Sequence, residues 1–339
     1  MSMVDLSSSY MGLSLKNPII VSSSGLTDSA EKIKNLEQNN AGAVVLKSLF
    51  EEEIIRQTDQ MLQQAKEDEM IYTQLSETLD YLDVHMKEES LEKYIQLIKS
   101  AKKEVMIPVI ASINCVTPGE WIPFAREIEN AGADGLELNI AVLPTDHTKS
   151  AEEIQQLHFN IIEKVKKDIK IPVAVKISPY FANLGQFLYK LGSTEVDALV
   201  LFNRFYQPDF DLKRMTVKPA NHFSHPSEYN YSLRWIALAS QDLDCDLAAS
   251  SGIHNGQTIL KEILAGAQAV EIASVIYQHG PQVILELIEE MENWMRENNY
   301  MYLNQLKGKL ASKKVSNPAV FERIQFMRYF GGIGQEPQQ

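Results

Sequence analysis

Cysteine is nearly absent from this sequence: Cys115 and Cys245 are the only two among 339 residues, and they lie far apart. That excludes a disulfide framework and any Cys-rich metal or iron–sulfur motif. No metal-ligand set is expected. No apolar run approaches the roughly 20 residues that a membrane-spanning helix needs. The opening MSMVDLSSSYMG has neither the basic stretch nor the apolar run of a secretory signal. Positive charge is also scarce. Lys and Arg number 32 against 45 Asp and Glu, a formal charge of −13. Such a surface argues against nucleic acid or an anionic membrane as a partner, while leaving room for a local basic pocket that takes one phosphate. The expectation is a soluble protein of a reducing compartment, placed in the cytoplasm.

Apolar residues, at 45%, suit a globular chain with a sizeable core. They fall in a repeating theme: a short apolar run, a polar loop, then an amphipathic helix. The runs cover 18–23, 43–47, 108–114, 135–140, 173–177, 198–202, 246–250 and 269–273. They are continuous rather than alternating, as strands buried on both faces should be. Trp121, Phe124, Ala125 and Ile128 keep helical spacing after the third run, and Val283, Ile284, Leu287, Ile288, Met291 and Trp294 do so after the eighth. Gly42, Gly132 and Gly266 close helices just before a strand. Eight such units predict a (β/α)8 barrel in one domain over 1–339, with a short N-terminal cap; a doubly wound open sheet is the rival. Two segments break the rhythm. Residues 51–92 are highly charged and read as helix, and residues 204–231 are rich in Pro, His, Asn and aromatics. Both hang from C-terminal strand ends, where this fold builds its sites.

The strand ends carry the chemistry. Lys47 and Lys176 close apolar runs, and a lysine there is costly to bury unless it meets an anion. Two of them at one barrel mouth make a site for negative charge. Asn114, Asn139 and Asn203 end the third, fourth and sixth runs, and each amide both donates and accepts at the edge of a heterocycle. Ser250, Ser251, Gly252 and Ile253 follow the seventh run, and Ala273 with Ser274 closes the eighth. That is where such barrels often hold phosphate, helped here by a helix start near Gly256.

Taken in order, these pieces resemble the dihydroorotate dehydrogenase family from Val4 to about Leu310. The carriers are Asn17-Pro18 with Ser22-Ser23-Ser24-Gly25, Leu46-Lys47-Ser48, Glu137-Leu138-Asn139, the run 174–179 reading Ala-Val-Lys-Ile-Ser-Pro, and Ser251-Gly252-Ile253. The likeness is strongest to a dihydroorotate dehydrogenase-like branch, through Ser-Leu-Phe-Glu-Glu at 48–52 and Leu-Phe-Asn-Arg-Phe-Tyr-Gln-Pro at 201–208. The resemblance implies FMN, with Ser24, Gly25, Lys47, Ser48, Asn114, Asn139, Lys176, Asn203, Ser251, Gly252, Ala273 and Ser274 around it. It implies Lys176 beside the pyrimidine end of the flavin, stabilising the reduced form's negative charge. Lys47 and Asn203 are the residues implied to face substrate and take part in catalysis. A role in pyrimidine biosynthesis, a homodimer and a redox partner protein follow from the resemblance alone.

One part of the pattern fails. The family's loop after the fourth strand holds a Cys or Ser that takes a proton while hydride passes to flavin N5. Here the loop reads Asn139-Ile140-Ala141-Val142-Leu143-Pro144. Val142, or Ala141 if the loop is shifted, occupies that place, and neither has a lone pair to offer. The family's second Asn of this loop and its Asn-x-x-Gly-x-x-Asn loop are missing as well. His147 and Cys115 are the weak substitutes, with Asp146, Tyr206 and His222 behind them. Cys245 precedes its strand and reads as structural. The expected function is an FMN-dependent oxidoreductase acting on a CH–CH bond of a small pyrimidine-like substrate. The alternatives are a different substrate on the same fold, a flavoprotein that carries electrons or regulates, and a slow dihydroorotate oxidase.

Overall fold

The computed structural model describes residues 4–50, 75–114, 121–140 and 142–322. Its first element is a hairpin, β1 (Ser8–Tyr10) antiparallel to β2 (Leu13–Leu15). The eight apolar runs then become β3 (Ile19–Val21), β4 (Ala43–Val45), β6 (Val109–Asn114), β7 (Gly135–Ile140), β8 (Val173–Ile177), β9 (Ala198–Leu201), β12 (Asp246–Ser250) and β13 (Ala269–Ile272). Each pairs in parallel with the next, and β13 pairs with β3. The β4–β6 pairing completes the ring, which rules out the open sheet. A two-residue β5 (Leu49–Phe50) extends the edge of β6.

Helices α1 (Ala30–Gln38), α2 (Leu75–Glu104), α3 (Trp121–Asn130), α4 (Ala151–Asp168), α5 (Leu184–Gly192), α6 (Tyr229–Ala239) and α7 (Gly256–Ala265) connect the strands. After β13 come α8 (Ser274–His279) and α9 (Val283–Glu297), and α10 (Ala319–Glu322) is the last helix described. The starts are written in the sequence. Ser29 accepts the Lys32 N–H at the head of α1, and Ser150 with Glu153 makes a reciprocal capping box on α4.

Strand side chains alternate between the outer wall and the interior. Ile19 and Val21, Val173 and Val175, and Leu247 and Ala249 point outward and join the helices in one continuous core. Ile20, Ala43, Val45, Ile110, Ala174, Ala198, Val200, Ala248 and Ala269 point inward. The interior is rich in alanine because Tyr10, Met11 and Leu15 of the hairpin rise into it from below. One layer higher the inward positions change character. Ser112, Glu137, Asn139, Lys176, Ser250 and Glu271 are all buried there. The barrel is therefore apolar at its N-terminal end and polar beneath its C-terminal mouth.

The runs at 18–23 and 43–47 outlast their strands, because the residues beyond Val21 and Val45 turn away to build the mouth. Of the charged segment 51–92, residues 51–74 lie outside the described residues, and from Leu75 the chain is helical as expected, running on to Glu104. The segment 204–231 holds a second hairpin, β10 (Pro208–Asp211) with β11 (Thr216–Pro219), which its Pro-flanked polar sequence did not announce. Among the described residues no helix is long and apolar enough to cross a membrane, and no group of three or more His, Cys, Asp or Glu could hold a metal ion.

Candidate active site

A cavity of about 440 Å³ opens at the C-terminal end of the barrel. Its floor is the polar layer. The Lys176 ammonium lies 2.5 Å from Glu271 Oε2, 3.1 Å from Ser22 Oγ and 3.7 Å from Glu137 Oε1. Burial opposes the Lys176 charge, but Glu137 and Glu271 outweigh it and raise its pKa above the ordinary lysine value. Burial and then Glu271 push the Glu137 carboxyl well above the usual range. Burial acts on Glu271 the same way, but Lys176 and hydrogen bonds from Glu137, Lys176 and Ser22 prevail and lower it. Glu271 Oε1 meets no N–H or hydroxyl among the described residues. The floor thus gathers two carboxyls around one ammonium, with Glu271 in the closer contact.

A ladder of hydroxyls climbs from this floor. Ser112 Oγ sits 3.5 Å from Glu137 Oε1, Ser48 Oγ 2.7 Å from Ser112 Oγ, and Ser23 Oγ 2.9 Å from Ser48 Oγ. Ser23 and Ser48 border the cavity, so the chain of oxygens connects its wall to the buried carboxyls. On another side the Asn203 amide donates to Asn139 Oδ1 at 3.0 Å, joining the ends of β9 and β7. Lys47 is exposed on the cavity wall, and its ammonium has no partner among the described residues.

The turn after β12 leaves backbone donors open. The N–H groups of Ser251, Gly252 and Ile253 find no acceptor among the described residues, and the three residues line the cavity. The first N–H groups of α8, on Ser274 and Val275, find none either. The start of α7, by contrast, is already filled. Asn255 Oδ1 accepts the Thr258 N–H at 2.8 Å, and the Glu290 carboxylate accepts the Gly256 N–H at 2.6 Å. The open donors therefore lie on the turn and at the β13–α8 junction rather than on the helix near Gly256. Packing requires the glycine at 252. Its φ is +72°, and a Cβ there would meet Tyr229 N at 2.2 Å. The α6 backbone packed behind the turn leaves no room for a side chain there. Ser251, at φ +81°, shares the left-handed conformation without that freedom.

Residues 204–224 close over this end. Arg204 Nε pairs with Glu228 Oε2 at 2.9 Å, and its other nitrogens reach the carbonyls of Asn221, His222 and Phe223. Ser224 N donates to Ser274 Oγ at 3.0 Å, Ser224 Oγ meets His254 Nε2 at 3.0 Å, and Phe223 stacks on Tyr277. This arm brings Tyr206 and His222 to the cavity wall.

Of the residues singled out from sequence, Ser24, Gly25, Lys47, Ser48, Asn139 and Lys176 line the cavity. So do Asn203, Ser251, Gly252, Ala273 and Ser274. Asn114 ends β6 but is not on the wall. Val142 is half-buried against the core, and its carbonyl accepts from Ser178 Oγ at 3.0 Å. Ala141 and Cys115 lie outside the described residues. His147 stands on an exposed surface turn with Asp146, whose carboxylate is held by Thr148 and Lys149. Cys245 packs against the outer core, where burial pushes its thiol up to about 12. Sequence reasoning missed Glu271, Arg204, Ser224 and Tyr277. The signal for Glu271 was present: three charged residues, Glu137, Lys176 and Glu271, sit in the middle of otherwise apolar strands, and buried charges must compensate one another.

Amides and a lysine that are unpaired among the described residues, with two paired carboxamides, thus meet at the C-terminal mouth of a (β/α)8 barrel. The chain belongs to the dihydroorotate dehydrogenase family, whose model matches residues 5–295. That family consists of flavin-dependent oxidoreductases, and this chain is an enzyme of that kind. Among its relatives is the dihydroorotate dehydrogenase B (NAD(+)) catalytic subunit of Thermoplasma volcanium, 24% identical over 321 residues that cover 90% of this chain and 98% of the relative. The protein of the same name from Pyrococcus abyssi is 25% identical over 304 residues, covering 88% and 96%. That of Bacillus cytotoxicus is 24% identical over 308 residues, covering 88% and 94%.

Proposed function

We propose that this chain is an FMN-dependent oxidoreductase that removes two electrons from a small, anionic, pyrimidine-like substrate. The observation that carries the reading is the set of N–H groups left open among the described residues on Ser251, Gly252, Ile253 and Ser274, which line a cavity with a charged floor and an amide-lined wall, and on Val275 next to Ser274 in α8. Five oriented donors suit a phosphate monoester. FMN, when bound, supplies a two-electron acceptor. The turn and the β13–α8 junction hold its phosphate. Ser24 and Gly25 border it, and Asn139 and Asn203 orient polar edges through a hydrogen bond they already share. Lys47 binds the substrate's anionic group, because it is the cavity lysine whose charge is uncommitted among the described residues. The 221–224 arm, held by Arg204, excludes water from the phosphate end.

The proton that substrate oxidation releases has no acceptor at Val142. Tyr206 and His222 are the titratable side chains that the arm brings to the wall. The same gap favours a second reading, in which the flavin exchanges electrons with a protein partner rather than with dihydroorotate. The relatives' description as catalytic subunits supports a partner subunit in either case. A cytoplasmic location and a homodimer complete the proposal, the latter checked by native mass. The deciding experiment is anaerobic. A yellow protein bleached within seconds by L-dihydroorotate supports a dehydrogenase whose base has moved. Flavin that stays oxidised with dihydroorotate, yet bleaches with dithionite, supports the partner-linked reading. A protein that takes up no FMN refutes both.

A further inference from the structure

The barrel interior places two carboxyls around one cation. Lys176, Glu137 and Glu271 come from three strands, β8, β7 and β13, and all are buried. Glu271 makes the closer contact with the ammonium, 2.5 Å against 3.7 Å for Glu137. A buried lysine alone beneath the cavity would offer a full positive charge to whatever binds above it. A carboxylate in contact cancels most of that field, because the two opposite charges lie at similar distances from the ligand. Nothing else in the layer restores it. Ser22, just past β3, and Ser112 on β6 are neutral, and the Tyr10 phenol below is buried with no partner among the described residues, with Asp246 beyond it adding negative charge. Arg204 is tied to Glu228, and Lys47 stands at the exposed rim.

We propose that Glu271 is a positioning residue that sets the redox poise of the site: by pairing with Lys176 it withholds positive charge from an anionic reduced flavin, so that the bound flavin is harder to reduce and readier to pass its electrons on. The inference rests on the FMN reading of the cavity. It also assigns Glu137 a reserve role, since that carboxyl is next in reach of the ammonium when Glu271 is removed. The two carboxyls therefore differ in what their removal does. Glu137→Gln leaves the Lys176–Glu271 pair intact. Glu271→Gln frees Lys176 in part, until Glu137 takes over. The double variant frees it fully.

The test is the flavin midpoint potential of the FMN-loaded protein, measured by equilibration with a reference dye, with melting temperatures reporting the fold. At the poise where wild type is half reduced, E137Q is expected within about twofold of it, E271Q about threefold toward the reduced form, and E137Q/E271Q about tenfold or more. Adding K176M to the double variant is expected to cancel the gain, which a merely structural effect would not do. If the double variant fails to fold, the contrast between the two single variants decides. FMN bound at the wild-type potential in E271Q and in the double variant overturns the inference alone, as does a gain that survives K176M. No FMN uptake by wild type overturns the functional reading and this inference with it.

Discussion

Two loops leave the same face of the barrel and have opposite characters. The turn after β12 is buried, left-handed at Ser251 and Gly252, and braced from behind by the α6 backbone. The loop after β7 has exposed residues from Leu143 through Ser150, and its polar groups bond to one another: Asp146 to Thr148, and Ser150 to Glu153. The first is held in one shape by its packing and leaves backbone donors open among the described residues. The second has the sequence of a surface loop where the family places chemistry. The contrast teaches that a turn braced from behind keeps its donors in place, while a loop that satisfies its own polar groups has no such constraint.

The sharpest way to break that comparison is at Gly252. A valine must clear Tyr229 N, which a Cβ would approach to 2.2 Å, and adopt φ near +72°. Gly252→Val is expected to cost about 3 kcal/mol or more and to yield protein that melts early and purifies colourless. A stable yellow variant would show that the turn is not braced as described. Next is the opposite loop. Val142→Cys places a proton acceptor where valine stands, and general-base catalysis is typically worth about 100-fold or more. Dihydroorotate-driven bleaching should accelerate by at least about tenfold in anaerobic stopped flow. An unchanged rate would mean that the substrate half departs from the family in more than its base.

A smaller effect is expected behind the turn. Glu262 on α7 is fully buried, accepts from Ser232 Oγ at 2.8 Å, and leaves its second oxygen without a partner among the described residues. Burial raises its pKa to about 8. The folded state therefore holds a proton that the unfolded chain releases at ordinary carboxylate pH. This contribution to stability is complete below about pH 4.5 and is lost as pH rises toward 8. Glu262→Gln should remove that slope and exceed wild type by about 2 kcal/mol at pH 8 in denaturant titrations, with no gain at pH 4.5. The least effect is expected at His147. On its exposed turn, His147→Ala should leave flavin content and turnover within about twofold of wild type. A large loss would bring the outer loop back into the chemistry.

Much of this was legible in the sequence. All eight barrel strands are continuous apolar runs, a signal that survives without any partner in view. The two hairpins were not legible. β1 and β2 are three residues each and exist to plug the barrel, and β10 with β11 is Pro-flanked and exposed, so neither has a burial pattern to read. The site divided in the same way. Residues at strand ends could be placed because the fold places them. The neutralisation of Lys176 by Glu271 could not, because it depends on strands 95 residues apart meeting in one layer. The filled start of α7 was hidden similarly, since Glu290 reaches Gly256 from α9.

The plug at the bottom of the barrel bears on the order of folding. Its first residues are held from the far end of the chain. Asp5 exchanges backbone hydrogen bonds with Met301 and Leu303, Ser8 Oγ donates to the Gln268 carbonyl, and Met11 N donates to Asp246. Contacts of such sequence separation carry the largest loop-closure cost and form late. On a ribosome the hairpin emerges before the barrel it plugs, and the surface that receives it is not made until β12, β13 and residues near 301 have been synthesised. The hairpin is thus among the last parts of the barrel to be seated, and until then the alanine-lined interior stays open from below.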